Sequence, residues 1–168
     1  MAACMIIGGC LCIGILYAHG MKCRVEELRQ VERIINYIEG EIRYKNSLLK
    51  EACLSASLRC GQPFKQWLEK LGERIEGFYM DSFGEIWEDS LDELRENSCL
   101  KNEDIREINL VGQTLGYLDI RTQEMGLGLE KEIIHNNVER LDKGLANNMK
   151  VSVILGGLSG LMLVIILL

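Results

Sequence analysis

Apolar and polar positions are sorted into three blocks along the chain. Residues Met1 to Met21 and Val151 to Leu168 contain no Lys, Arg, Asp or Glu, and every such residue falls between Lys22 and Lys150. A bilayer core about 30 Å thick takes roughly 20 apolar residues in a helix. Both ends are therefore expected to span a membrane. Tyr17 and His19 stand where an interfacial belt would lie. A cleaved leader would want a basic start and a small-x-small site. No basic residue precedes the first run, Ala18-His19-Gly20 is a poor site, and the apolar run before Cys10 is too short for a lipoprotein box. The expected division is an anchor over 1–21, a cytoplasmic helical bundle over 22–150 and a second anchor over 151–168.

Within the middle block the apolar residues follow the helical period. Leu28, Val31, Ile35, Ile38 and Ile42 form one stripe, leaving Glu32, Arg33, Glu39 and Arg43 for water. Asn46 or Ser47 is a candidate cap for a second helix reaching about Cys60. Gly61-Gln62-Pro63 reads as a turn, with Pro63 suited to the first helical position. Phe64, Trp67, Leu68, Leu71 and Ile75 make a third stripe, closed by Gly77. A fourth helix from about Ser82 buries Phe83, Ile86, Trp87, Leu91 and Leu94. A fifth begins near Asn102 and buries Ile105, Ile108, Val111 and Leu115. Gly116 is placed to end it, and Asp119 to cap the next. The last helix carries Ile120, Leu127, Ile134 and Leu141 at seven-residue intervals, with Val138 and Leu145 on the same face. The fold class is all-α: a bundle of about six helices flanked by two transmembrane helices, the first and last helices running on into the anchors.

Charge narrows the function. The net charge is −6, and Lys and Arg alternate with Asp and Glu along the helices. Nucleic-acid binding needs clustered cations, so it is excluded as an expectation. An acidic domain meets a basic protein surface more readily. Glu26-Glu27, Glu88-Asp89 and Asp92-Glu93 read first as solvated faces. The alternative is docking of a basic partner, with Asp92 and Glu93 as the candidate pair. Of 7 cysteines and 2 histidines, none sits in a Cys-x-x-Cys pair, so no metal site is expected. The cysteines read as mostly free thiols in a reducing compartment. His135 lies on a charged helix. No Gly-x-Ser-x-Gly elbow and no phosphate-binding Gly-rich loop occurs. No enzymatic activity, cofactor or small-molecule substrate is expected. Trp67 and Trp87 are assigned to packing.

Small residues recur at helical spacing in both anchors: Gly156 with Gly160, and Cys10, Gly14 and Ala18. Such rows let helix backbones approach closely in lipid. Gly14, Gly156 and Gly160 are the candidate packing positions. Cations flank both anchors on the domain side, at Lys22, Arg24 and Arg29 and at Lys143 and Lys150. The positive-inside rule then puts the domain in the cytoplasm.

Three blocks carry a family resemblance. Leu28-Arg29 leads to Tyr37-Ile38-Glu39-Gly40-Glu41-Ile42-Arg43-Tyr44. Gly112-Gln113-Thr114-Leu115-Gly116 is followed by Asp119 and Gln123. Asn148-Met149-Lys150 leads into Gly156-Gly157-Leu158. With the anchor–bundle–anchor plan, these resemble the stage III sporulation protein AB family of spore-forming Firmicutes. The chain departs from the family at Ser47-Leu48-Leu49, where the family has Thr-Pro-Leu.

The resemblance implies a role in endospore formation, in the mother-cell membrane facing the forespore. It implies membership of a secretion-like complex and a helical domain similar to the F-type domain of type II secretion platforms. A secretion-type ATPase is the implied partner, which the protein would couple to channel components. Glu39, Glu41, Tyr44, Gly112, Gly116, Asp119 and Gln123 carry over as family-motif positions, each with a plain structural reading as a cap, corner or helix contact. The alternative function is a membrane-tethered helical spacer or adaptor without an ATPase partner.

Overall fold

The structure is a computed structural model that describes residues 2–45, 48–75, 83–115 and 120–167. Among the described residues there are six helices: α1 (Ala2–Lys45), α2 (Leu49–Ser57), α3 (Phe64–Ile75), α4 (Phe83–Asn97), α5 (Asn102–Leu115) and α6 (Ile120–Leu167). The helices of the all-α reading are there, and α1 and α6 run unbroken through the apolar ends. Two compact units divide the chain: Glu27–Val138, and Met1–Glu26 with Glu139–Leu168.

In the unit Glu27–Val138, α2 packs on α3, α3 on α4 and α4 on α5, and side-chain pairs join α1 to α6. Gly72 of α3 brings α2 close, since a Cβ there would stand 2.9 Å from Leu54 Cγ. Trp67 of α3 donates from Nε1 to Ser90 Oγ of α4 at 2.9 Å. Trp87 of α4 donates to the Ile108 carbonyl of α5 at 3.1 Å. Asn137 of α6 donates to Glu107 of α5. Lys131 of α6 pairs with Glu39 of α1 at 2.5 Å, and His135 meets Glu32 at 2.8 Å. Because residue number rises along α6 as it falls along α1, the two helices are antiparallel here. Arg59, just beyond α2, stacks 4.4 Å over the Tyr37 ring of α1.

The predicted stripes supply the core. Leu28, Val31, Ile35 and Ile38 are buried, as are Phe64, Trp67, Leu68 and Leu71, then Phe83, Trp87, Leu91 and Leu94. Ile105, Ile108, Val111 and Leu115 follow on α5, and Ile134 and Val138 on α6. Each such side chain removed from water contributes about 1.5–3 kcal/mol before entropy is counted. Ile42 and Ile86 are only half-buried.

Local chemistry shifts several helix ends. The N-cap of α2 is Leu48, extended and without a side-chain cap, and its carbonyl accepts the first helical bond from Ala52 at 3.0 Å. The helix stops at Ser57, short of Cys60. Asn46 and Ser47 lie outside the described residues. Pro63 stands one position before the first residue of α3, its carbonyl accepting from Trp67 N at 3.2 Å. At α5 the cap comes from inside the helix: buried Asp104 accepts the Lys101 N–H at 2.8 Å, half of a capping box. Gly77, Ser82, Gly116 and Asp119 lie outside the described residues.

In the other unit, the early part of α1 packs antiparallel against the late part of α6. A Cβ on Gly14 would lie 2.8 Å from the Ser152 carbonyl oxygen, and one on Gly156 2.7 Å from that of Cys10. A Cβ on Gly160 would meet Ile7 Cα and Cys10 Cβ at 3.1 Å each. Backbones this close leave no room for a side chain at Gly14 or Gly156, and only a tight fit at Gly160. Large apolar side chains point away from the seam, among them Ile13, Leu16, Ile154, Leu158 and Ile165. Among the described residues, one helix is long and apolar enough to cross a membrane, within Lys131–Ile166, and its apolar window is almost wholly exposed.

Cys10, Cys12, Cys53 and Cys60 are free thiols, as expected of cysteines read as mostly free. The reading of Glu26-Glu27 as a solvated face needs correction at Glu27, which is half-buried. It accepts the Cys99 N–H at 2.7 Å, and burial pushes its pKa up against that hydrogen bond.

Candidate functional site

The outer face of α4 is built on a rigid base. Trp67 and Trp87 are nearly fully buried and meet edge to face, with ring centroids 5.0 Å apart at 72°. Phe83 packs on Trp87 at 5.8 Å. Both indole N–H groups are satisfied inside the bundle, and Ser90 in turn donates to the Trp87 carbonyl at 2.6 Å. A buried indole whose polar edge is paired cannot rotate without losing a hydrogen bond. Gly112 completes the seat: a Cβ there would fall 2.1 Å from Cδ1 and Nε1 of Trp87.

With Trp87, Ser90, Leu91 and Leu94 turned inward, the helical period turns the carboxylates outward. Helix α4 carries Glu85, Glu88, Asp89, Asp92, Glu93 and Glu96 against Arg95 alone. Asp92 pairs with Arg95 at 2.7 Å on its own helix. Glu93 pairs with Lys70 of α3, and its backbone carbonyl accepts from Asn97 Nδ2 at 2.8 Å. Glu88, Asp89 and Glu96 are exposed and form no ion pair among the described residues.

Beside this face lies a cleft of about 390 Å³ between α3 and α4. Pro63, Trp67 and Leu94 give it apolar walls, while Gln62, Gln66, Glu93 and Asn97 line it with polar groups. The arrangement offers hydrogen bonds and negative charge around an apolar floor. It suits contact with a protein surface carrying Lys or Arg.

The docking pair proposed from sequence is thus internally occupied. The α4 carboxylates left open among the described residues are Glu85, Glu88, Asp89 and Glu96. Their spacing opposite the 87/91/94 stripe was the signal for them; Lys70 as the partner of Glu93 required the fold, whereas Arg95 stands three residues after Asp92 on one helix. Among the family-motif positions, Glu39 ties α1 to α6 through Lys131, Glu41 is buried, and Gly112 seats Trp87. The structure does not bring these three into one pocket. Gly116 and Asp119, with the side chains of Tyr44 and Gln123, lie outside the described residues. His135 is exposed beside Glu32. Cys53 is wholly buried, and burial pushes its thiol up to about 12, which keeps it a neutral core residue.

The family model for stage III sporulation protein AB matches residues 1–168. The stage III sporulation protein AB of Bacillus subtilis (strain 168) is 25% identical over 144 residues, covering 86% of this chain and 84% of that protein. A solved stage III sporulation protein AB structure superposes with a TM-score of 0.68 at 21% identity, covering 74% of this chain and 97% of that one. At that identity the likeness speaks for the fold. The family is named for a stage of sporulation and not for a reaction.

Proposed function

This chain belongs to the stage III sporulation protein AB family, and we propose that it is a non-enzymatic membrane platform in a secretion-like complex between mother cell and forespore. Its two apolar helix segments hold it in the mother-cell membrane, and the bundle faces the cytoplasm. There it docks a secretion-type ATPase and couples it to channel components. The observation that carries the docking step is the outer face of α4, where Glu88, Asp89 and Glu96 stand exposed with no ion pair among the described residues, on a helix fixed by two buried tryptophans.

Docking through exposed charge speeds association and weakens with salt, because screening shortens to about 8 Å at physiological ionic strength. The test is binding of the full-length protein in maltoside micelles to the purified ATPase across a salt series. The Glu88→Lys/Asp89→Lys variant is expected to associate several-fold more slowly while unfolding at the same midpoint. Salt-independent binding that the variant leaves unchanged would mean an apolar interface elsewhere. No binding at any salt would favour the spacer reading, which draws its support from the two long helices of 44 and 48 residues.

A further inference from the structure

A second pocket, of about 240 Å³, opens between α1 and the end of α2. Its chemistry is the reverse of the α4 face. Arg33 and Arg59 line it together with Gln30, Tyr37 and Cys60, over the buried side chain of Ile34. No carboxylate lines it, in a chain with 25 acidic residues. Neither Arg33 nor Arg59 makes an ion pair among the described residues, and the Arg59 guanidinium carbon lies 4.4 Å from the centre of the Tyr37 ring. A cation over a ring is attracted by the ring quadrupole and keeps N–H donors for a ligand. The Cys60 thiol donates to the Ser57 carbonyl, and burial pushes its pKa up, so it adds no negative charge.

We propose that this pocket is a binding site for a phosphoryl group, held by Arg33 and Arg59 with Gln30 and Tyr37 as neutral donors. Every polar side chain lining it can donate a hydrogen bond, and the two guanidinium forks carry the only formal charges. A carboxylate presents two oxygens in one plane, which a single guanidinium satisfies. Two forks with an amide and a phenol around them suit the three terminal oxygens of a phosphate monoester. The phosphate can arrive as a soluble phosphate ester or as the headgroup of phosphatidate in the membrane that the chain's own helices enter.

The test uses full-length protein in maltoside micelles, with the Arg Nε–H cross-peaks of Arg33 and Arg59 followed by NMR. Sodium phosphate is added against sodium chloride of matched ionic strength. Saturable shifts of both cross-peaks with phosphate alone are expected. Arg33→Gln and Arg59→Gln should each weaken binding by about tenfold or more, the loss of one charge-assisted pair. Arg33→Gln should leave the unfolding midpoint unchanged, because Arg33 has no ion pair to lose. In nanodiscs, cross-peaks already shifted by phosphatidate and no longer responsive to added phosphate would assign the site to the lipid headgroup. Cross-peaks unmoved by phosphatidate but still titrated by phosphate would assign it to a soluble ester. Shifts no larger with phosphate than with chloride, or full phosphate affinity in both variants, would overturn the proposal.

Discussion

Gly112 lies directly against the face of Trp87, so close that a Cβ at position 112 would stand 2.1 Å from the indole nitrogen. The indole in turn donates to the Ile108 carbonyl one helical turn before that glycine. Helix α5 therefore offers the ring both an acceptor and the space to reach it. Gly112→Ala should force the ring out and strip its hydrogen bond. A loss of about 2–4 kcal/mol is expected, combining overpacking with an unsatisfied buried donor. Urea unfolding followed by tryptophan fluorescence measures it, and an unchanged midpoint would mean that the ring has another seat.

Ile38 is fully buried on the stripe of α1 that faces the bundle. Ile38→Asp would place a charge there with no partner among the buried aliphatic side chains, a change that exceeds the stability of most domains. Far-UV circular dichroism is expected to show a broad, non-cooperative melt. A sharp transition near the wild-type midpoint would remove Ile38 from the core.

The Cys53 thiol is pushed up to about 12 by burial, from an ordinary value of 9.0. The folded state thus keeps its proton where the unfolded state loses it. Its contribution to stability is complete below about pH 9 and drains away as pH rises towards 12. Cys53→Ala should flatten that part of the stability–pH curve. The wild-type thiol should also resist alkylation at pH 9 until the bundle is unfolded. Fast alkylation of the folded protein at Cys53 would contradict its burial.

The seam between the two ends makes a geometric prediction. A Cβ at position 160 would stand 3.1 Å from Cys10 Cβ, a little inside the usual disulfide separation of about 3.5–4.5 Å. Gly160→Cys should therefore cross-link to Cys10 under mild oxidation, read by mass spectrometry of the linked peptides. Gly20→Cys has nothing within 4 Å and should not. Equal cross-linking at both positions would mean that the helices do not hold this register.

Asp104 supplies a smaller effect of a different kind. It is buried and accepts the Lys101 N–H at the start of α5. Asp104→Ala should cost about 1–2 kcal/mol, and Asp104→Asn less, because the amide oxygen can still accept. Thermal unfolding of the two variants side by side gives the ordering. An alanine variant as stable as the asparagine variant would show that the cap contributes nothing.

The sequence by itself determined the helices and most of their inward faces. Leu28 to Ile38, Trp87 to Leu94 and Ile105 to Leu115 repeat at three and four residues, and that period survives any arrangement of neighbours. It also marked the uncharged ends, since hydropathy sums over a segment without reference to its contacts. Helix ends were less legible, because Leu48 and Asp104 act as caps only through backbone bonds that spacing does not display. Tertiary structure alone brought Lys70 of α3 to Glu93, whereas Arg95 stands three residues after Asp92 and pairs with it on one helix. Tertiary packing also decided the seat that Gly112 leaves for Trp87, and the pocket that Arg33 and Arg59 line together across 26 positions of chain. Each of these depends on distance in space, which a linear order of residues does not carry until the stripes have packed.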